Sequence, residues 1–97
     1  MRVEILFYGF VRDIVDSSRL VLDTPESLTV RNLMELLIKR FGERLRERLL
    51  TSSGEIEANV QLFVGDQRAL SLQEPIRNGQ SDFAEVKVFV LSATAGG

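Results

Sequence analysis

The sequence of 97 residues contains no cysteine, no histidine and no tryptophan. Without cysteine it has no disulfide framework, no thiol nucleophile, no persulfide and no thiolate metal site. Without histidine it has no imidazole base, no Ser-His-Asp triad and no histidine-ligated metal. Carboxylates are the metal ligands that remain, and they favour Mg²⁺ or Ca²⁺. We assign none of them to a metal site, and autonomous catalysis by thiol or imidazole is excluded.

Charge and hydropathy narrow the class of protein further. Apolar residues make up 44% and charged residues 27% of the chain, the balance of a soluble globular protein, and the length suits one domain. The formal net charge of −2 provides no global basic field, so we expect no nucleic-acid partner. No apolar run is long enough to span a membrane, and no signal peptide follows Met1. We therefore expect a cytoplasmic protein without a membrane partner.

The periodicity of apolar residues predicts a small α+β domain. It predicts strands, in chain order, over 3–7, 19–23, 60–64, 67–70 and 85–91. The first two form a hairpin whose loop of several residues contains a turn at 16–18. Helical spacing over 30–41 predicts the main helix, with Thr29 as its N-cap and Gly42 at its C-terminus, and a shorter helix is expected over 43–50. This order predicts the β-grasp, or ubiquitin-like, architecture: a mixed sheet of four to five strands with one main helix on one face.

Six small residues, Ser92 to Gly97, follow the last apolar strand and stop at Gly-Gly. No bulky side chain is available to fold this segment back, so we expect a flexible tail that reaches roughly 20 Å. Glycine has no Cβ, so it lets a backbone approach another protein closely. We divide the chain into a β-grasp domain over 1–91 and a C-terminal tail over 92–97. A frayed end without function is the alternative, but the β-grasp pattern before the tail favours function.

The chain resembles the small subunit of molybdopterin synthase, one of the ubiquitin-like sulfur carriers. In that family the first strand is followed by an aromatic-small pair and an arginine-acidic pair, here Tyr8-Gly9 and Arg12-Asp13. The family's helix starts at a Thr-Val pair, here Thr29-Val30, and the family ends in Gly-Gly, here Gly96-Gly97. The likeness covers nearly the whole chain. It departs from the family at Ser92-Ala93, where the family usually has Pro-Pro.

The resemblance implies a sulfur carrier in molybdopterin (molybdenum or tungsten cofactor) biosynthesis. A free α-carboxylate is an anion at neutral pH and a poor electrophile, so it must be activated. The family implies that an adenylating enzyme of the ubiquitin-activating type uses ATP to place AMP transiently on Gly97. Sulfur then displaces AMP to form a thiocarboxylate, which donates sulfur to the pterin precursor in complex with the large synthase subunit. Gly96 gives the tail access to these sites. The chain itself is expected to be a non-catalytic sulfur-donor subunit with no permanently bound cofactor.

Other functions remain open at this point. A carrier for thiamine or tRNA thiolation uses the same chemistry, although thiamine carriers tend to be shorter and the Tyr8-Gly9 and Arg12 signature fits molybdopterin better. A ubiquitin-like modifier would be conjugated through Gly97 to lysines of target proteins. A plain β-grasp binding module with an inert tail is the third alternative.

Strand alternation predicts an apolar patch on the sheet face opposite the helix. In the β-grasp order the first, last and third strands are neighbours, so Leu6, Phe63, Phe89 and Leu91 share this face near the base of the tail, with Tyr8 beyond Leu6. Exposed apolar patches mark interaction sites.

We expect these four patch residues, together with Ala95 of the tail, to bind partner proteins. The alternative is that some of these side chains lie under loops.

A basic run also lies within the predicted helices, with cations at 39, 40, 44, 46 and 48 and glutamates at 43 and 47. Contact with an acidic partner or with nucleic acid is one interpretation. We expect a solvated helix face instead, because no aromatic stacking platform accompanies the charges.

Overall fold

The computed structural model of the chain describes residues 1–25, 27–76 and 83–91. Asn78-Gly79, a dipeptide that predicts a further turn before the last strand, and the tail after Leu91 lie outside the described residues. The elements are, in chain order, β1 (Arg2–Gly9), α1 (Arg12–Val15), β2 (Arg19–Asp23), α2 (Val30–Phe41), α3 (Glu43–Leu49), β3 (Val60–Val64), β4 (Gln67–Ala69) and β5 (Phe83–Val90).

The strands form one mixed sheet in the order β2-β1-β5-β3-β4. β1 and β5 run parallel beside each other, and every other neighbouring pair is antiparallel. The predicted α+β, β-grasp architecture is confirmed. No helix in the described part of the chain is both long enough and apolar enough to cross a membrane.

The predicted bounds agree closely with the structure for β2, α2 and β3, and α3 and β4 each end one residue before the predicted end. Larger differences occur at three other places. β1 is longer at both ends than the predicted 3–7, and β5 begins at Phe83 and ends at Val90 instead of spanning 85–91. The predicted loop between β1 and β2 contains α1, which the sequence analysis missed. A helix of four residues makes barely one turn, so no periodicity develops from which to recognise it.

The core lies between the sheet and the helices. Alternate residues of the central strands and one face of α2 enter the same buried cluster, whose members include Val3, Ile5, Phe7, Leu33, Met34, Leu37, Val86, Val88 and Val90. Phe41 at the end of α2 meets Phe7 edge-on, with ring centroids 6.3 Å apart. Full burial of a large apolar side chain contributes about 1.5–3 kcal/mol. The apolar layer between the sheet and the helices therefore dominates the free energy of folding.

Both ends of α2 follow the sequence prediction. The Thr29 hydroxyl accepts a hydrogen bond from the Asn32 N–H (3.2 Å), and the Thr29 N–H donates to Asn32 Oδ1 (3.1 Å), which completes a capping box. At the other end the Gly42 N–H donates to the Ile38 carbonyl (2.7 Å). Gly42 has a φ of +91°, a conformation that favours glycine.

The buried face of α2 makes a direct stability prediction. We expect Leu33→Ala to lower the free energy of unfolding by about 2–5 kcal/mol, because Leu33 is fully buried against the sheet and its truncation leaves a cavity. Leu36→Ala on the same helix is the matched control, since Leu36 is 40% exposed, and it should cost less than about 1 kcal/mol. Urea denaturation monitored by circular dichroism measures both, and equal losses would contradict this packing.

Candidate functional site

The open face of the sheet carries three aromatic side chains in contact, Tyr8, Phe63 and Phe89, which we call the aromatic cluster. The parallel register places Tyr8 opposite Phe89, and their rings stack with centroids 4.6 Å apart and planes 11° apart. Phe63 meets Phe89 edge-on, with centroids 5.6 Å apart. Such pairs contribute about 0.5–1.5 kcal/mol beyond their buried area, so the three rings hold one another in place.

The structure brings together part of the patch that was predicted from the sequence. Phe63 and Phe89 are in contact, Leu6 is half-buried on the same face, and Leu91 is 57% exposed just beyond β5. Their role in partner binding stays a prediction.

Three predicted site residues, Ala95, Gly96 and Gly97, lie outside the described residues. Strand alternation places Tyr8 on the open face. Its stacking on Phe89 depends on the register of two strands far apart in sequence, so Tyr8 is not among the predicted patch residues.

The open face is polar at one end and aromatic at the other. Glu4 and Glu85 face each other across β1 and β5, where Glu4 pairs with Arg19 and Glu85 with Lys87 (3.6 Å). The aromatic cluster follows toward the end of β5. An apolar centre flanked by polar groups is the usual composition of a protein-binding surface.

The end of β5 is held by backbone hydrogen bonds from both sides. The Phe10 N–H donates to the Val90 carbonyl (3.0 Å), and the Leu91 N–H donates to the Asn59 carbonyl (2.9 Å). Gly9 has a φ of +82°, and a Cβ at this position would lie 2.2 Å from the Val90 carbonyl oxygen. The two residues of the Tyr8-Gly9 pair therefore have separate physical roles. The Tyr8 ring stacks on Phe89, and Gly9 allows the backbone of β5 to approach closely.

A side chain of α3 braces the same turn. The Arg48 guanidinium donates to the Phe10 carbonyl and lies 3.3 Å from an Asp13 carboxylate oxygen. The Arg48 side chain is 24% exposed, so the predicted solvated helix face is wrong for this residue. The reason is α1, which packs against α3 and brings Asp13 to it. Because α1 was missed in the sequence, this contact was missed with it.

The described part of the site offers an aromatic surface for contact with another molecule. Within residues 1–25, 27–76 and 83–91, no three acidic, histidine or cysteine side chains lie close enough to hold a metal ion. The described site consists of an aromatic surface and, next to it, a firmly hydrogen-bonded strand end.

Comparison with known proteins places this geometry among solved structures. No protein-family model matches the chain, and no curated protein gives a significant match. Small archaeal modifier protein 1 from Haloferax volcanii aligns with a TM-score of 0.78 at 16% identity, covering 98% of this chain and 100% of its own. A putative molybdopterin converting factor subunit 1 from Pyrococcus furiosus aligns with a TM-score of 0.72 at 21% identity, covering 95% of this chain and 99% of its own. Small archaeal modifier protein 1 from Methanosarcina acetivorans aligns with a TM-score of 0.70 at 12% identity, covering 97% of this chain and 96% of its own.

These likenesses show the fold. The chain has the β-grasp fold of the modifier proteins and of the converting-factor subunit, over almost its full length and theirs. The neighbours are consistent with the resemblance to ubiquitin-like sulfur carriers that the sequence motifs carry.

The close approach of Gly9 to β5 predicts a position-specific effect of alanine. Gly9→Ala should destabilise the domain by more than about 2 kcal/mol, since it adds a clash with the Val90 carbonyl to an unfavourable positive φ. Gly65→Ala is the matched control: its φ is +60°, but nothing lies within 4 Å of the added Cβ, so only the conformational cost of about 1 kcal/mol applies. Thermal and urea unfolding compare the two, and an equal effect would refute the tight contact.

Proposed function

We propose that this chain is a ubiquitin-like sulfur carrier that receives sulfur on Gly97 and donates it inside a larger partner. The observation that carries the proposal is the anchored end of β5. The strand end is hydrogen-bonded on both sides, lies beside the aromatic cluster, and leads in sequence into six small residues that end in Gly-Gly. A partner that binds the aromatic face would therefore have the start of the tail at a defined position on its surface.

In this proposal the contact surface and the reactive atom are separate because they have different roles. Aromatic anchors supply most of the free energy in typical protein interfaces, so Tyr8, Phe63 and Phe89 provide affinity. Leu91 extends that surface toward the tail. The small residues of the tail offer little bulk, which suits entry into a narrow site where geometry rather than affinity matters.

The proposed chemistry begins at the Gly97 carboxylate, which is unreactive as a free anion. In an adenylating enzyme, a carboxylate oxygen attacks the α-phosphorus of ATP and pyrophosphate leaves, giving an acyl-adenylate with AMP on Gly97. A sulfide equivalent delivered by that machinery then attacks the acyl carbon and AMP leaves, giving the thiocarboxylate. ATP and AMP are thus transient, and the chain supplies neither base nor metal. Because ATP is consumed, we place these steps in the cytoplasm.

For the acceptor, we propose a pterin precursor bound by the large subunit of a molybdopterin synthase. Two observations support it. The likeness to the putative converting factor subunit from Pyrococcus furiosus extends over 99% of that chain. The Tyr8-Gly9 pair, on which the family resemblance partly rests, has a physical role at the strand end. Thiamine or tRNA thiolation would use the same carrier chemistry with another acceptor.

A second candidate function is protein modification through Gly97. It is favoured by the likeness to small archaeal modifier protein 1 from Haloferax volcanii, which has a TM-score of 0.78 and covers the whole of that chain. Activation by adenylation is common to both functions. They differ in the last step. In modification a lysine amine attacks the acyl carbon of Gly97, whereas in sulfur transfer the thiocarboxylate sulfur attacks the acceptor.

Intact mass spectrometry tests the reactive atom directly. We expect the chain, purified after co-expression with its adenylating enzyme under sulfur-replete conditions, to carry sulfur in place of one oxygen at Gly97. A chain lacking Gly97 is the control and should fold normally without gaining this mass. Isopeptide remnants of Gly97 on lysines of other proteins would support modification instead. An unmodified chain in the presence of the active enzyme would contradict both functions.

The aromatic face makes a separate prediction about partner affinity. Leu91→Asp and Phe63→Asp should each weaken binding to the large synthase subunit by at least about tenfold, because a charge replaces an apolar contact near the tail. Leu36→Asp is the matched control, since Leu36 is an exposed leucine on α2, on the other side of the sheet. Isothermal titration calorimetry measures the affinities, and circular dichroism checks the fold. Unchanged affinity of the first two variants would rule out this surface.

A further inference from the structure

A groove on the helical side of the domain is used by none of the contacts described so far. It has a volume of about 280 Å³ and runs between α2, the end of α3 and the loops that follow. Its apolar lining consists of Met34, Ile38, Leu50 and Leu72. It adjoins a second cavity of about 480 Å³ through the shared residues Arg31, Gly54 and Leu72. The two cavities together form one continuous, open depression.

Three cations surround this apolar floor, and we call the whole feature the basic groove. Arg31 and Lys39 lie two turns apart on α2, and Arg46 comes from α3. Two acidic residues are among the described lining, Glu35 in the groove and Glu55 in the adjoining cavity. Positive charge therefore exceeds negative charge in the groove, although the chain as a whole has a net charge of −2.

These cations form no ion pair with the acidic residues that the structure describes. Among the described residues, no ion pair within 4.0 Å joins Arg31, Lys39 or Arg46 to a carboxylate. Arg44 and Arg48 of the same basic run differ, since both reach Asp13. Two cations of the run, Arg44 and Arg48, therefore face α1, and two, Lys39 and Arg46, line the groove. The fifth, Arg40, lies over the Phe41 ring.

The nearby acid and the helix end are already occupied. One oxygen of the Glu74 carboxylate accepts hydrogen bonds from the N–H groups of Leu70 and Ser71. The first N–H groups of α2, those of Val30 and Arg31, donate to carbonyls of the same loop at 2.9 Å. The positive character of the groove comes from side chains and not from a free helix terminus.

We propose that the basic groove binds an acidic amphipathic segment of a protein partner. Apolar side chains of that segment would lie on the floor, and its carboxylates would meet Arg31, Lys39 and Arg46. A purely electrostatic ligand would leave the apolar floor unused. Nucleic acid is disfavoured because neither cavity has an aromatic lining residue on which a base could stack.

The basic groove and the aromatic cluster lie on opposite sides of the sheet. Odd-numbered residues of β5 such as Phe89 face the open side, whereas Val86, Val88 and Val90 face the helices that form the groove. A partner in the groove therefore leaves the aromatic face accessible. This proposal does not depend on the proposed function, and either can fail without the other.

The test is a nuclear magnetic resonance titration of the full chain with a short synthetic peptide that alternates leucine and glutamate. Alternation places the leucines on one side of an extended peptide. We expect amide shifts to cluster at Arg31, Ile38, Leu50 and Gly54. The double variant Arg31→Glu/Arg46→Glu should weaken binding by at least about tenfold, because it turns attraction into repulsion.

Two controls make the result specific. Arg68→Glu reverses an exposed cation on the open face, where Arg68 lies opposite Phe63, and should leave peptide binding unchanged. A peptide with serine in place of leucine should lose binding, because it has no apolar side chains to lie on the floor.

Several results would overturn the proposal. These are shifts confined to the aromatic face, equal affinity of the double variant, no binding of the leucine–glutamate peptide, or tighter binding of single-stranded oligothymidine at the same residues. If the double variant fails to fold by circular dichroism, Lys39→Glu alone provides the same comparison.

Discussion

The parallel pairing of β1 with β5 is the interaction on which the rest of the structure depends. It joins eight residues near one end of the chain to eight near the other, from Arg2 opposite Phe83 to Gly9 opposite Val90. Parallel strands cannot be joined by a tight turn, so everything between them must form the crossover and the remaining strands. The same register buries alternate residues against α2 and stacks Tyr8 on Phe89 on the other face.

This central pair also explains why the end of β5 is held firmly in place. β5 is flanked by β1 and β3, and its last carbonyl and the following N–H are both hydrogen-bonded. The turn at Gly9 and Phe10 that supplies one of these bonds is itself held by Arg48 of α3. Contacts from three regions of the chain therefore converge on the point where the tail starts. A small domain can in this way hold the end of its last strand in a defined position.

Under the proposed function, the division between domain and tail matches the division between binding and chemistry. The aromatic cluster provides contact area, and the terminal carboxylate provides the atom that is activated. A chain without cysteine or histidine has no other group for sulfur chemistry, so the reaction would be completed by partners. The basic groove, on the other side of the sheet, offers such a system a second point of contact that does not compete with the first.

The sequence by itself determined the elements other than α1 and the faces they bury. Helical spacing with Thr29 and Gly42 at its ends defined α2, and alternation defined the open face that holds Phe63 and Phe89, because these signals are local. Tertiary structure alone decided that Tyr8 stacks on Phe89, that Gly9 meets Val90, that α1 brings Asp13 to Arg48, and that Arg31, Lys39 and Arg46 surround one groove. Each of these depends on the register or packing of segments distant in sequence, which no local periodicity encodes.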